Sequence, residues 1–149
     1  YPLLLMNAKS GVSYWKIREK GGPLEKIMGS ILGESTMSGM CKLVGMNTEN
    51  RASESIKDSY RLGCSTKVDL TVGDIYGEAV ASLGLDADLL ASSFGKPAPE
   101  AGAKVNVYET YNSMATMFTV NSSNIAALIS KIHDIRSIIV LPSQFDYEP

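Results

Sequence analysis

The stretch NAKSGVSYWKIREKGGPLEKIMGSILGESTMSGM, residues 7–40, decides the fold of this chain. It predicts the end of an apolar strand, a second strand, a turn at Gly21 and Gly22, and a third strand. A loop rich in glycine and serine then leads into a helix. Backbone N–H groups of such a loop, at a helix N-terminus, can bind an anion. The pattern is typical of either a phosphate-binding site or an ordinary turn between a strand and a helix.

The composition is that of a soluble globular domain. With 149 residues, 44% of them hydrophobic and 20% charged, the chain is long enough to form a core. The net charge of −2 argues against a partner held by charge, such as nucleic acid or an anionic membrane. The longest apolar runs, residues 3–6 and 138–141, are far shorter than the roughly 18 residues of a spanning helix. We therefore expect no nucleic-acid partner and no membrane partner.

The cysteines and the histidine do not have the spacing of a metal site. Cys41 and Cys64 belong to no CxxC pair, and the single His133 has no cysteine or second histidine nearby, so zinc lacks ligands. Two unpaired thiols favour a reducing, cytoplasmic compartment, with a disulfide between them as the alternative. We expect His133 at a helix C-terminus, where positive charge is favoured, rather than as a catalytic base. Because the sequence opens at Tyr1 without an initiator methionine and is strand-like by Leu3, the chain is expected to be part of a longer protein.

Hydrophobic periodicity predicts three strands in series and then a helix. Residues 3–7 are continuously apolar, which is typical of a strand covered on both faces. Residues 12–18 alternate, as in a half-covered or edge strand, and residues 24–28 return after the glycine turn. Three such strands form an antiparallel meander. A core-facing helix is predicted over residues 36–44, before Gly45, from the apolar face formed by Met37, Met40, Cys41 and Val44.

The rest of the chain predicts further helices and one more strand. In order, we expect a polar amphipathic helix at 49–62, a short strand and turn at 64–77, a short helix at 86–92, an exposed loop at 95–103, a long helix from 104 with a break at 121–123, and a buried strand at 137–141. The long helix is expected to pack across the meander, through an apolar face that includes Leu128 and Ile132. These elements indicate an α/β fold in a single domain, residues 1–149.

Four short strings carry a resemblance to a known family. They are SGVS at residues 10–13, STKVD at 65–69, DIYG at 74–77 and ASSFG at 91–95. In this order and at this spacing, the chain resembles the carboxyl-terminal part of a type II (eukaryotic-type) pantothenate kinase over residues 1–145. The weaker alternative is an unrelated α/β binding module in which the strings match by chance.

The resemblance implies a fold, an activity and partners. The fold is the ribonuclease-H-like half of an actin-like ATPase, of the ASKHA type. The activity is ATP-dependent phosphorylation of pantothenate to 4'-phosphopantothenate in coenzyme A biosynthesis, with ATP and Mg²⁺ as cofactors. The partners are pantothenate, ATP, CoA or acyl-CoA as a feedback inhibitor, and a second subunit in a homodimer or heterodimer. The family's catalytic carboxylate and first phosphate loop are expected before Tyr1, so we assign no catalytic residue and no metal ligand.

The resemblance also implies a substrate site. The two serines of the family's G-S-G-V-S string match Ser10 and Ser13, and hydroxyl groups suit a polar, hydroxylated substrate. The family's first glycine of that string is Lys9 here. A family arginine ahead of the glycine-rich loop matches Lys26, which keeps the charge but loses the bidentate fork.

The nucleotide loop departs further from the family. The family loop reads roughly G-T-S-L-G-G-G-T-F, and the predicted ATP-binding residues here are Gly29, Ser30, Gly33, Ser35 and Thr36. Two of the three consecutive glycines are replaced, by Glu34 and Ser35. A carboxylate about 4 Å from phosphate charge costs about 4 kcal/mol at a surface-like dielectric, so Glu34 opposes nucleotide binding. The family string V-G-N-F, near the end, is likewise replaced, by the sequence at residues 140–145.

Two functions follow from matching these residues to the motifs of the family. The first is a pantothenate kinase. The second is a subunit with a degraded nucleotide loop that supports or regulates an active partner protomer. An intact first phosphate loop and acidic residue upstream would favour the first, and their loss the second.

Overall fold

The computed structural model describes residues 1–45, 67–96 and 107–141. The predicted helix at 49–62, the thiol of Cys64 and most of the predicted loop at 95–103 lie outside these residues. Contacts between Cα atoms divide the chain into two compact units. One unit combines Tyr1–Leu43 with Phe118–Pro149, and the other is Val44–Met117.

The described elements alternate between strands and helices, as in an α/β fold. In chain order they are β1 (Leu3–Ala8), β2 (Val12–Ile17), β3 (Leu24–Ser30), α1 (Glu34–Leu43), β4 (Leu70–Thr71), α2 (Val72–Tyr76), a 3-10 turn (Gly77–Ala79), α3 (Val80–Leu83), β5 (Leu90–Ser92), α4 (Val107–Ile132) and β6 (Ser137–Leu141). None of the described helices combines the length and apolar character needed to cross a bilayer.

The first unit contains a four-stranded sheet in the order β3-β2-β1-β6. β1 pairs antiparallel with β2, and β2 pairs antiparallel with β3, which confirms the predicted meander. β6 adds to the other edge of β1 in parallel. The sequence left open whether β2 is a half-covered strand or an edge strand. Since β2 lies between two strands, it is the half-covered one.

The core of this unit forms where the sheet meets the second half of α4. Alternate residues of the first two strands point inward, and they pack with helix residues in a cluster of Leu4, Met6, Val12, Tyr14, Ala126, Ile129 and Ile135. The Tyr14 hydroxyl donates a hydrogen bond to the Ser122 carbonyl at 3.1 Å. Burial raises the pKa of Tyr14 above its ordinary value. The predicted packing of the long helix on the meander is thus confirmed for this half of the helix.

Three predictions about the carboxyl-terminal elements are wrong. α4 continues without a break through Asn121–Ser123, because helix propensity is a weak preference that packing overrides. The helix also turns Leu128 and Ile132, predicted on its apolar face, to solvent, with 58% and 77% of their surface exposed. β6 has the predicted bounds but is exposed along its whole length, since it lies at the edge of the sheet.

α1 begins two residues before the predicted start and ends one residue before the predicted end. Cys41 is buried, Met37 and Met40 are half-buried, and Val44 lies beyond the helix and is exposed. Gly45 follows with a φ of 77°, as expected for a glycine that ends a helix.

The second unit differs from the prediction at two places. Val72 was expected in a strand but begins α2, because Thr71 and Asp74 form a capping box at its N-terminus. The helix predicted at 86–92 is a turn followed by β5, which pairs antiparallel with β4. Gly84, in the left-handed conformation, ends α3 just before this turn.

Candidate functional site

An open pocket of about 390 Å³ lies where the turn between β1 and β2 meets the end of β3. Polar and small residues dominate its lining. The lining residues are Asn7, Lys9, Ser10, Gly11, Val12, Ser13, Lys26, Gly29, Ser30 and Ile31. The volume lies within the range of about 300–1,000 Å³ common for small-molecule sites.

The pocket wall is a tight turn that packs against β3. The Lys9 N–H donates to the Gly11 carbonyl at 2.9 Å, which closes the turn between the two strands. A Cβ atom on Gly11 would lie 2.6 Å from the Ser30 carbonyl oxygen, closer than real Cβ atoms come to other atoms. Glycine at this position therefore lets the turn lie directly on the backbone of Ser30.

The start of α1 closes onto the same turn. A Cβ atom on Gly33 would lie 2.5 Å from the Gly11 Cα, so the two backbones touch where both residues are glycine. The Glu34 N–H donates to the Lys9 carbonyl at 2.8 Å, and the Ser35 N–H donates to the Ser10 carbonyl at 3.3 Å. These first two N–H groups of α1 are thus used to hold the turn.

Ser13, Trp15 and Lys26 form a linked group on one face of the sheet. The Trp15 indole N–H donates to the Ser13 hydroxyl oxygen at 2.9 Å. The Lys26 ammonium lies 5.8 Å from the centre of the Trp15 ring, within the range of a cation–π contact. Two of the three predicted substrate residues, Ser13 and Lys26, are therefore connected through a tryptophan that sequence reasoning did not select.

Asn7 is a second residue that the sequence did not indicate. It lines the pocket, and its Oδ1 atom is buried and accepts no hydrogen bond from the described residues. Buried polar atoms are usually paired. The sequence signal that could have indicated Asn7 is its position as a polar residue at the end of an apolar strand.

Polar residues of the second unit form a different arrangement. Asp69 is fully buried and accepts hydrogen bonds from the Ser113 hydroxyl and, at 3.0 Å, from the Phe94 N–H. Asp74 accepts from the Thr71 N–H at 2.8 Å and pairs with the Lys96 ammonium at 3.1 Å. The Thr71 N–H, followed by Lys96, lowers the pKa of Asp74 below its ordinary value. Within the described ranges, no three cysteine, histidine or acidic residues come together as a metal site would need.

Comparison with known proteins identifies the family. The family model named Fumble matches residues 1–145. The chain belongs to the Fumble family. It is 33% identical to pantothenate kinase 1 of Oryza sativa subsp. japonica over 139 residues, which cover 93% of this chain and 20% of that protein. It is 33% identical to the pantothenate kinase of Schizosaccharomyces pombe over 144 residues, with 93% of this chain and 34% of that protein covered.

A third relative carries a different name. The chain is 34% identical to the 4'-phosphopantetheine phosphatase of Mus musculus over 135 residues, which cover 91% of this chain and 16% of that protein. The chain thus spans at most about a third of the length of these three relatives. The implied family of eukaryotic-type pantothenate kinases is confirmed.

The site residues that the resemblance to pantothenate kinases implied fall into two groups, those that line the pocket and those that do not. All three predicted substrate residues, Ser10, Ser13 and Lys26, line the pocket, and so do Gly29 and Ser30 of the predicted nucleotide loop. Gly33, Ser35 and Thr36 are not among the residues that line it.

The hydroxyl groups of the loop make local hydrogen bonds. The Ser30 oxygen accepts from the Leu32 N–H at 3.1 Å, and the Thr36 hydroxyl donates to the Ile31 carbonyl at 2.9 Å. These bonds hold the loop between β3 and α1 in its turn.

Proposed function

We propose that this chain supplies the pantothenate-binding part of a pantothenate kinase, an enzyme that phosphorylates pantothenate to 4'-phosphopantothenate with ATP. The observation that carries the proposal is the convergence of Ser10, Ser13 and Lys26 on one pocket. These residues come from two strands and from the turn between β1 and β2, so their meeting depends on the fold. The names of the plant and yeast relatives support the same substrate.

The chemistry of the pocket suits pantothenate, which carries a carboxylate, an amide and two hydroxyl groups. The Lys26 ammonium supplies a positive charge for a carboxylate. The hydroxyls of Ser10 and Ser13 can each donate and accept, as the substrate hydroxyls and amide require. We assign substrate binding to these three residues and no proton transfer to any of them.

The nucleotide loop fits ATP less well than the pocket fits pantothenate. The N–H groups of Leu32, Glu34 and Ser35 donate to protein oxygens, and this leaves them unavailable to a phosphate. The carboxylate of Glu34 adds a negative charge at the helix start, where phosphate charge would otherwise be favoured. ATP binding by Gly29, Ser30, Gly33, Ser35 and Thr36 therefore stays a prediction, as does a Mg²⁺ ion. We derive no step through either.

This misfit supports a second candidate function. In it the chain is a subunit with a degraded nucleotide loop that still binds pantothenate and supports or regulates an active partner protomer in a dimer. The mouse relative named as a phosphatase agrees with the idea that kinase activity is not common to all relatives. The actin-like ATPase fold, the cytoplasmic location and inhibition by CoA or acyl-CoA belong to both candidates.

Calorimetric titration of the complete natural polypeptide with pantothenate tests the shared part of the proposal. We expect binding that weakens by about tenfold or more in Lys26→Met, because the ammonium is the charged contact. Lys20→Met, an exposed lysine beyond the pocket, serves as the control. Equal affinity in Lys26→Met and Lys20→Met would contradict the assigned site.

ATP-dependent phosphorylation of pantothenate separates the two candidates. The polypeptide is assayed alone and mixed with a relative whose loop keeps all three glycines. Rapid turnover by the polypeptide alone supports the kinase and rejects the degraded subunit. Turnover that requires the mixture, or that appears in the double variant Glu34→Gly with Ser35→Gly, supports the degraded subunit.

A further inference from the structure

The predicted substrate lysine needs a support that an arginine would not. A lysine ammonium is a point charge on a flexible stem, whereas a guanidinium presents a planar fork that is fixed by geometry. A flexible cation loses conformational entropy when a ligand fixes it. A neighbour that holds the ammonium before binding would reduce that cost.

Trp15 is placed to hold Lys26. The two residues are direct cross-strand partners of β2 and β3, next to a register shift between Tyr14 and Trp15. The Lys26 ammonium lies over the indole ring, 5.8 Å from its centre. The Lys26 Cε would lie 3.9 Å from a Cβ atom on Gly29, which is the cross-strand partner of Ser13. The lysine stem thus runs along the sheet toward Ser13.

The same indole also orients the Ser13 hydroxyl. Its N–H donates to the Ser13 oxygen at 2.9 Å, so one lone pair of that oxygen is occupied. The hydroxyl proton then points away from the indole and can be donated to another acceptor. One side chain therefore sets both the position of the cation and the direction of the hydroxyl.

We infer that Trp15 is the positioning residue of the pantothenate pocket, through its ring for Lys26 and through its N–H for Ser13. Trp15 itself is not among the residues that line the pocket. It therefore acts through the two residues that do. This inference rests on the proposed function for its substrate, and on the two contacts of the indole for its geometry.

Graded substitution tests the inference by pantothenate titration of the complete natural polypeptide. Trp15→Phe keeps an aromatic face and loses the N–H, so we expect affinity to fall about fivefold. Trp15→Leu also loses the face, which adds a further factor of about two to five. The control is Ile17→Val, because Ile17 lies on the same face of β2 two residues further along, outside the pocket lining.

A merely structural role is excluded by coupling to Lys26. In a Lys26→Met background, the difference between the phenylalanine and leucine variants should disappear, because no cation remains to be held. A difference that persists there, or Trp15 variants that bind as tightly as Ile17→Val, would overturn the inference.

Fluorescence tests the geometry without a substrate. Trp15 is the single tryptophan of the 149 residues. Lys26→Met should shift the emission of the polypeptide, and the shift should vanish when Trp15→Phe is also present. An unchanged emission spectrum would contradict the contact between ring and ammonium. If the unmodified polypeptide binds no pantothenate, the proposed function fails, and the emission result alone then decides whether Trp15 holds Lys26.

Discussion

The pocket at the turn between β1 and β2 and the buried carboxylate of Asp69 use polar residues in opposite ways. At the pocket, Ser10, Ser13 and Lys26 line an open cavity. In the other unit, Asp69 has no exposed surface and accepts hydrogen bonds from Ser113 and Phe94. Polar groups in the first region face a space that a ligand can occupy, whereas the Asp69 carboxylate joins a backbone N–H to a buried side chain.

This difference separates the strings that carry the family resemblance. SGVS, at residues 10–13, forms the wall of the pocket. Asp69 of STKVD accepts from the backbone of Phe94 in ASSFG, so these two strings are bound to each other. Asp74 of DIYG caps α2 and pairs with Lys96. A string shared with a family of enzymes can therefore consist of residues that stabilise the fold as well as residues that line a binding site.

Asp69→Ala should have the largest effect on stability. Removal of the carboxylate leaves the Ser113 hydroxyl and the Phe94 N–H without this acceptor, and each buried unsatisfied donor costs about 1–3 kcal/mol. We expect the free energy of unfolding to fall by about 2–5 kcal/mol in urea denaturation. Asp88→Ala, at an exposed turn of the same unit, should change it by less than about 0.5 kcal/mol. Similar losses in both variants would remove the contrast between the two regions.

Gly33→Ala should give the next largest effect. The added Cβ would lie 2.5 Å from the Gly11 Cα and 2.6 Å from the Ser10 carbonyl oxygen, so a backbone must move, at a cost of about 1–3 kcal/mol. Gly39→Ala in α1 is the matched control, because nothing lies within 4 Å of its added Cβ. It should stabilise the helix by up to about 1 kcal/mol. The midpoint of thermal unfolding should therefore fall in Gly33→Ala and rise in Gly39→Ala. A change in the same direction in both variants would argue against the contact of Gly33 with the turn.

Ser13→Ala should affect binding and spare stability. Loss of one hydroxyl contact is expected to weaken pantothenate binding about fivefold, with little change in the unfolding midpoint. Ser137→Ala, at an exposed position of β6, is the control for serine removal. A Ser13 variant that unfolds early and still binds normally would place Ser13 with the structural residues.

Asp74 gives the smallest effect, and that effect depends on pH. Its pKa is lowered in the folded protein, so the stabilisation is present above the ordinary carboxyl pKa of about 3.9 and is lost as the pH falls through the lowered value. Thermal unfolding of Asp74→Asn should therefore begin slightly earlier than that of the unmodified protein at pH 7. The two curves should converge in strong acid. A difference that grows with acidification would contradict this sign.

The fold was predictable from sequence where one face of an element is buried. Alternation across Val12 and Tyr14 predicted a half-covered or an edge strand, and the position of β2 between two strands decides for the first. Glycines marked the ends of strands and helices. β6 was predicted as buried because four consecutive apolar residues do not reveal an edge position. The prediction of a strand at Val72 was wrong for another reason. The capping bonds between Thr71 and Asp74 start a helix there instead.

The candidate site was predictable only in part. Resemblance indicated Ser10, Ser13 and Lys26, but no local pattern shows that Trp15 bridges two of them, because that bridge depends on the pairing register of β2 and β3. The sequence also did not indicate that Gly33 contacts the backbone of the turn between β1 and β2. A glycine in a phosphate-like loop and a glycine that touches another backbone look the same in sequence.

The division of the chain has a consequence for its synthesis. The four-stranded sheet joins residues from both ends of the described chain, since Leu3 pairs with Ser137, while the other unit is the continuous segment Val44–Met117. At about 5–20 residues per second, a ribosome needs on the order of 10 s between these two strands. For that interval the edge of β1 that later pairs with β6 lacks that partner, so we expect the nascent meander to need protection by chaperones.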